Sequence, residues 1–143
     1  MDNLLIFSRP FKMVNYAPVI TVNIEGKDFN FVIDTGSEMS IIDKTLVESS
    51  IFSSEIEKTN ISLAGIDNGK DVQEKIRLSF TADDMTFETT FLICDCSYIF
   101  DNFRKSCNIE MAGLLGSGFL AKYKFVLDFS KYSVYIFNPN AQQ

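Results

Sequence analysis

Histidine is absent from all 143 residues. That removes Ser/His/Asp and Cys/His nucleophile systems, histidine general bases and every histidine-containing zinc site. Any acid–base chemistry falls to carboxylates, Lys, Tyr or Cys. Cysteine is scarce, with three residues at Cys94, Cys96 and Cys107. An odd count without a second pair at metal-binding spacing fits neither a disulfide framework nor a four-thiolate zinc site, so the three read as plain reduced thiols. Positive charge is in deficit, with 13 Lys and Arg against 19 Asp and Glu, a net charge of −6 and a pI near 4.6. No basic stripe is present to neutralise phosphates, and nucleic acid is not an expected partner. Long apolar runs are also missing. Leu4-Leu5-Ile6-Phe7 is too short for a membrane span or a signal h-region, and Asp2 precedes it in place of a basic n-region. The expectation is a soluble, cytoplasmic chain without membrane association.

The residues that are present describe a β protein. At 46% hydrophobic residues the chain can build a real core, and its length suits one domain. Its 14 Phe and 5 Tyr fall largely in short alternating runs, which favours strands. Residues 1–16 read as an N-terminal arm, broken by Pro10 and without an evident core role, and residues 17–143 as the domain. Val19 to Ile24 and Phe29 to Asp34 are strands joined by a hairpin linker. Phe29, Phe31 and Ile33 share one face of the second strand, and Asn30, Val32 and Asp34 the other. Met39 to Ile42 is a short strand and Lys44 to Ser49 a brief helix. Residues 59–66 and 72–82 flank Asn68-Gly69, the strongest hairpin signal in the chain because both residues tolerate positive φ. Phe87 to Ile93 pairs back across Asp83-Asp84. Residues 94–112 show no period beyond one helical turn near Phe100 to Lys105. A short helix is expected at Phe119 to Tyr123, then strands at Phe125 to Phe129 and Tyr132 to Phe137.

A bare Asp-Thr-Gly-Ser is a weak signal, because a strand ending in Asp and turning through Gly is an ordinary loop. Context sharpens it here. Asp34 ends the apolar run Phe31-Val32-Ile33, Gly36 permits close backbone approach, Ser37 can bond locally, and an apolar strand follows. In these segments the sequence resembles the retropepsin family, the single-domain relatives of pepsin that include the retroviral proteases. Phe31 to Ser37 looks like the family's active-site loop, the hairpin tipped by Asp67-Asn68-Gly69 sits where the family has its flap, and Leu114-Leu115-Gly116 looks like its hydrophobic-hydrophobic-Gly element. Ser117-Gly118 departs from the many cellular relatives that have an Asp at that point. Residues 94–112 are longer than a retroviral version needs.

The resemblance implies an all-β, closed barrel of the retropepsin kind with a flap hairpin and one or two short helices. It implies an aspartic endopeptidase acting on extended peptide or protein segments as a homodimer, with Asp34 catalytic and no cofactor or metal. Thr35 would bond across the dimer axis, Gly36 would admit the substrate backbone, and Ser37 would donate to the outer carboxylate oxygen. Gly65, Ile66, Asp67, Asn68 and Gly69 would form the flap. Val32, Leu114, Leu115 and Gly116 would line the cleft, with Val32, Ile66 and Leu114 favouring large apolar side chains beside the cut. Metal-free hydrolysis needs both a base for water and an acid for the carbonyl oxygen, which one ionised carboxylate cannot be. Two carboxyls about 3 Å apart share a proton instead, the aspartic-protease dyad being a standard example of the effect. With one Asp-Thr-Gly per chain, the second carboxyl comes from a twin. Leu4 to Phe7 or Tyr132 to Phe137 would be the terminal strand at the interface. The competing reading is the same dimer used as a peptide- or protein-binding module without catalysis, which has no need of an intact Asp34-Thr35-Gly36.

Overall fold

The computed structural model describes residues 4–50, 52–59 and 74–138. Its strands are β1 (Leu5–Pro10), β2 (Lys12–Val14), β3 (Ala17–Ile24), β4 (Lys27–Asp34), β5 (Ser40–Asp43), β6 (Ile56–Lys58), β7 (Glu74–Ala82), β8 (Met85–Cys94), β9 (Gly113–Gly116), β10 (Val126–Asp128) and β11 (Ser133–Phe137). Three short helices lie among the described residues: α1 (Lys44–Ser49), α2 (Asp101–Cys107) and α3 (Ser117–Lys122). That is one more than the expected one or two. The addition is α2, at the single helical turn expected near Phe100 to Lys105; none of its residues is fully buried and only Phe103 packs on a core cluster, too little for an apolar period.

Strands β3, β4, β9, β5, β8 and β7 are hydrogen-bonded neighbours in that order, and Asn23 of β3 pairs with Thr81 of β7 to close them into a barrel. Strands β3 and β4 meet at Glu25-Gly26, whose φ values of 52° and 92° are the left-handed pair of a tight hairpin turn. Along β4 burial alternates so that Phe29, Phe31 and Ile33 enter the main core while Val32 packs on a second cluster with Val19, Ile41 and Leu114. Strand β9 runs parallel to β4, matching Val32 with Leu114, Ile33 with Leu115 and Asp34 with Gly116. The two loops that carry Asp34 and Gly116 therefore leave the barrel side by side.

Residues 5–14 do have a core role. Strand β1 pairs antiparallel with β11, which also pairs with β10, making a separate sheet. Phe7, Phe11 and Val14 are all buried. Pro10 breaks the arm between β1 and β2, as expected, but Phe11 N–H still bonds Tyr132 O at 2.9 Å. The β10–β11 turn is fastened by Asp128, whose Oδ1 accepts from Ser130 N–H and Lys131 N–H; with the Ser130 hydroxyl bond foremost, these donors hold its carboxyl below the usual range.

Much of the main core is aromatic. Phe87, 2% exposed, has ring contacts with Phe7, Phe80, Phe119, Tyr123 and Phe125 at centroid distances from 4.9 to 5.8 Å. It ties β8 to β1, β7 and α3. Phe87→Ala should cost about 3–5 kcal/mol in urea unfolding, because so many ring partners cannot all collapse into the space left. A loss under about 1 kcal/mol would show that the site repacks and that Phe87 is not the hub.

Candidate active site

Asp34 is the last residue of β4 and half-exposed, while Thr35 and Gly36 are exposed on the turn that follows. The turn is closed by Ser37 N–H donating to Asp34 O at 3.2 Å. Gly36 N–H donates to Asp34 Oδ1 at 2.9 Å and so orients the carboxyl. A Cβ on Gly36 would lie 3.3 Å from that same oxygen.

The loop from 34 to 40 is clamped from the other side by the start of α3. Ser117 N–H donates to Ser37 O at 2.7 Å and Gly118 N–H to Glu38 O at 3.1 Å. These are orphan donors of a helix N-terminus, which has no side-chain cap of its own. The loop carbonyls cap these donors instead. Gly116 N–H donates to Ser40 Oγ at 3.0 Å, and Ser40, 4% exposed, is the buried polar side chain among the described residues. Ser40 was not singled out from sequence, although a lone hydroxyl opening the apolar run Ile41-Ile42 was a usable signal.

The expected site residues divide. Asp34, Thr35, Gly36, Ser37 and Gly116 come together at one end of the β4–β9 pair. Val32 and Leu114 are cross-strand partners on the Asp34 face, the first half-buried and the second 6% exposed. Leu115, expected to line the cleft, is instead a main-core residue 2% exposed, because β alternation turns it with Ile33 into the barrel. Ser37 corrects a second expectation. Its Oγ donates to Met39 O at 2.8 Å, and a hydroxyl has one proton to give, so it braces the loop and leaves the carboxylate to Gly36. Gly65, Ile66, Asp67, Asn68 and Gly69 lie outside the described residues. Strands β6 and β7, which lead to and from that segment, pair antiparallel with Lys58 opposite Glu74.

Cys94 and Cys96 are buried and Cys107 is exposed on α2. Among the described residues no group of three or more His, Cys, Asp or Glu side chains could hold a metal ion, and no helix is long and apolar enough to cross a membrane. A groove of about 570 Å³ between Lys27, Phe29, Leu46 and Met111 lies at the far end of β4 from Asp34 and takes no part in this constellation.

A family model described as retroviral aspartyl protease matches residues 14–128. The solved protease of EIAV, in complex with the inhibitor HBY-793, is similar with a TM-score of 0.52 and 18% identity over 74% of this chain and 86% of that one. A retropepsin-like aspartic protease from Rickettsia conorii gives 0.57 at 14% identity, covering 96% and 94%. The retroviral protease-like domain of Ddi1 from Leishmania major gives 0.50 at 13%, covering 87% and 95%. Comparison with curated proteins finds no match. At these identities the structural likeness is one of fold, and it is the expected retropepsin barrel.

Proposed function

Because this chain belongs to the retroviral aspartyl protease family, we propose that it is an aspartic endopeptidase in which two copies of Asp34, one from each of two identical subunits, activate a water against a peptide bond. The observation that carries the reading is a single half-exposed Asp34 on a loop braced by Gly36, Ser37, Ser117 and Gly118, in a chain with one Asp-Thr-Gly. A carboxyl held so firmly at a surface is suited to meeting a second one. Once paired, the two share a proton: the ionised member takes a proton from water, and the protonated member gives its own to the carbonyl oxygen. No acyl-enzyme forms, and the tetrahedral adduct collapses with the proton passed to the leaving amine.

The terminal sheet supports the twin. β11 already lies between β1 and β10, so of the two strands considered for the interface only β1 keeps an open edge. Leu4, Leu5 and Ile6 at its start are 61%, 51% and 48% exposed, an apolar edge of the kind that proteins cover. In the dimer Thr35 bonds its counterpart's loop, and Val32 beside Asp34 favours large apolar side chains at the cut. The thiols take no part in the chemistry.

The test is cleavage of a mixed peptide library between about pH 4 and pH 7, with sedimentation on the same samples. We expect internal cuts, a bell-shaped rate profile because one proton on two carboxyls is the active form, and a specific activity that falls on dilution as the dimer dissociates. Peptide binding without cutting would place the chain among non-catalytic modules of the same fold. A flat pH profile would contradict the shared proton.

A further inference from the structure

Tyr16 is 96% exposed, more than any other large apolar or aromatic side chain among the described residues, and no ring or hydrogen-bond contact of its side chain is found there. It stands with Asn15 in the two-residue turn between β2 and β3, where both have left-handed φ values, 51° and 64°. Such turns favour Asn followed by Gly, since residues with a Cβ avoid this region. A fully exposed tyrosine at a glycine position gains nothing for the fold, so its presence asks for a partner outside it.

The position of the turn supplies one. Val19 faces Val32 in the β3–β4 pair, so continuing that register sets Ala17 opposite Asp34 and Tyr16 level with Thr35. One strand spacing of roughly 5 Å and the reach of a tyrosine bring the ring within roughly 10 Å of the catalytic loop. The turn is also held in place. Asn15 Nδ2 donates to Ser106 Oγ at 3.1 Å and Cys107 Sγ lies 3.7 Å from Asn15 Oδ1, while the Ser106 hydroxyl is itself tied to Asn102 O. Helix α2, anchored by Phe103 against the second cluster, thus clasps the turn that projects beside the Asp34 loop.

We infer that Tyr16, steadied through Asn15 by α2, is a specificity-determining residue whose ring takes a large apolar or aromatic side chain of the substrate. An extended peptide advances about 3.4 Å per residue, which puts that side chain roughly two to four residues from the scissile bond. Ring stacking at such a distance adds binding common to ground and transition states, so it acts on KM and not on kcat.

This inference rests on the endopeptidase reading, and the experiment separates the two. Peptides carrying Phe, Leu or Gly at each position from two to four residues either side of the cut are compared for wild type, Tyr16→Ala and Tyr16→Phe, with sedimentation at the assay concentration. Tyr16→Ala should raise KM roughly five- to tenfold for the Phe and Leu peptides at one of those positions, leave the Gly peptides and kcat unchanged, and keep the dimer; Tyr16→Phe should behave as wild type. Cleavage by wild type with an unchanged preference in Tyr16→Ala overturns the inference alone, as does a loss that follows dimer dissociation. A wild type that cuts none of the peptides overturns both readings.

Discussion

Replacing Asp34 by Asn is expected to remove peptide hydrolysis by at least about 10⁴-fold, the upper range for general acid–base catalysis, while leaving the barrel folded. An amide oxygen can still accept the Gly36 N–H that Oδ1 accepts at 2.9 Å, so the turn has no reason to open. The substitution sits at a half-exposed position, where loss of a charge carries little folding cost. What the amide cannot do is take a proton from water or hold the one the pair shares. Thermal unfolding and sedimentation on the same preparation separate the outcomes: a folded, inactive protein is the expected result. An unfolded one would make Asp34 a structural aspartate, and retained cleavage would move the chemistry elsewhere.

Gly116→Ala should also damage activity, for a steric reason. A Cβ there would lie 2.5 Å from Met39 O and 2.7 Å from Ser37 O, both main-chain atoms of the loop that carries Asp34. Backbone cannot step aside as a flexible side chain can, so the loop itself must shift. It would be pushed away from Ser117 N–H and Gly116 N–H, the donors that fix it. Overpacking of this kind costs about 1–3 kcal/mol, sometimes more. Displacing a catalytic group by about 1 Å costs on the order of 100-fold in rate, so kcat should fall at least that far in whatever protein remains folded. Near-normal kcat would mean that the contact between the two loops is incidental.

Those contacts mark where sequence reasoning ran out. Alternation along Phe29 to Asp34 predicted which face of β4 enters the core, because a period of two is local. Helix α1 spans the Lys44 to Ser49 stretch that the sequence predicts, and the Asp83-Asp84 turn is legible from two polar residues between alternating runs. The core role of β1 was not, since its partner β11 lies more than a hundred residues away in sequence and Pro10 argued for a break. Ser37 was given the carboxylate by resemblance, but the nearby Met39 carbonyl is the better-placed acceptor. Leu115 follows the same lesson: adjacency to Leu114 suggested a shared cleft, and alternation sends the two to opposite sides of the sheet. The contact between residues 101–107 and the β2–β3 turn lies beyond any periodicity, because it is made through Asn15, far away in sequence.

The shared carboxylate pair is tested most directly by mixing. Wild-type protein and Asp34→Asn are combined at constant total concentration, dissociated and reassociated together, and assayed against one library peptide above the concentration at which the dimer forms. If a site needs Asp34 from both subunits, hybrids are dead and activity follows the square of the wild-type fraction, so an equal mixture retains about one quarter of the rate. Activity that falls in simple proportion, leaving about one half, would show that one Asp34 suffices and would contradict the shared site.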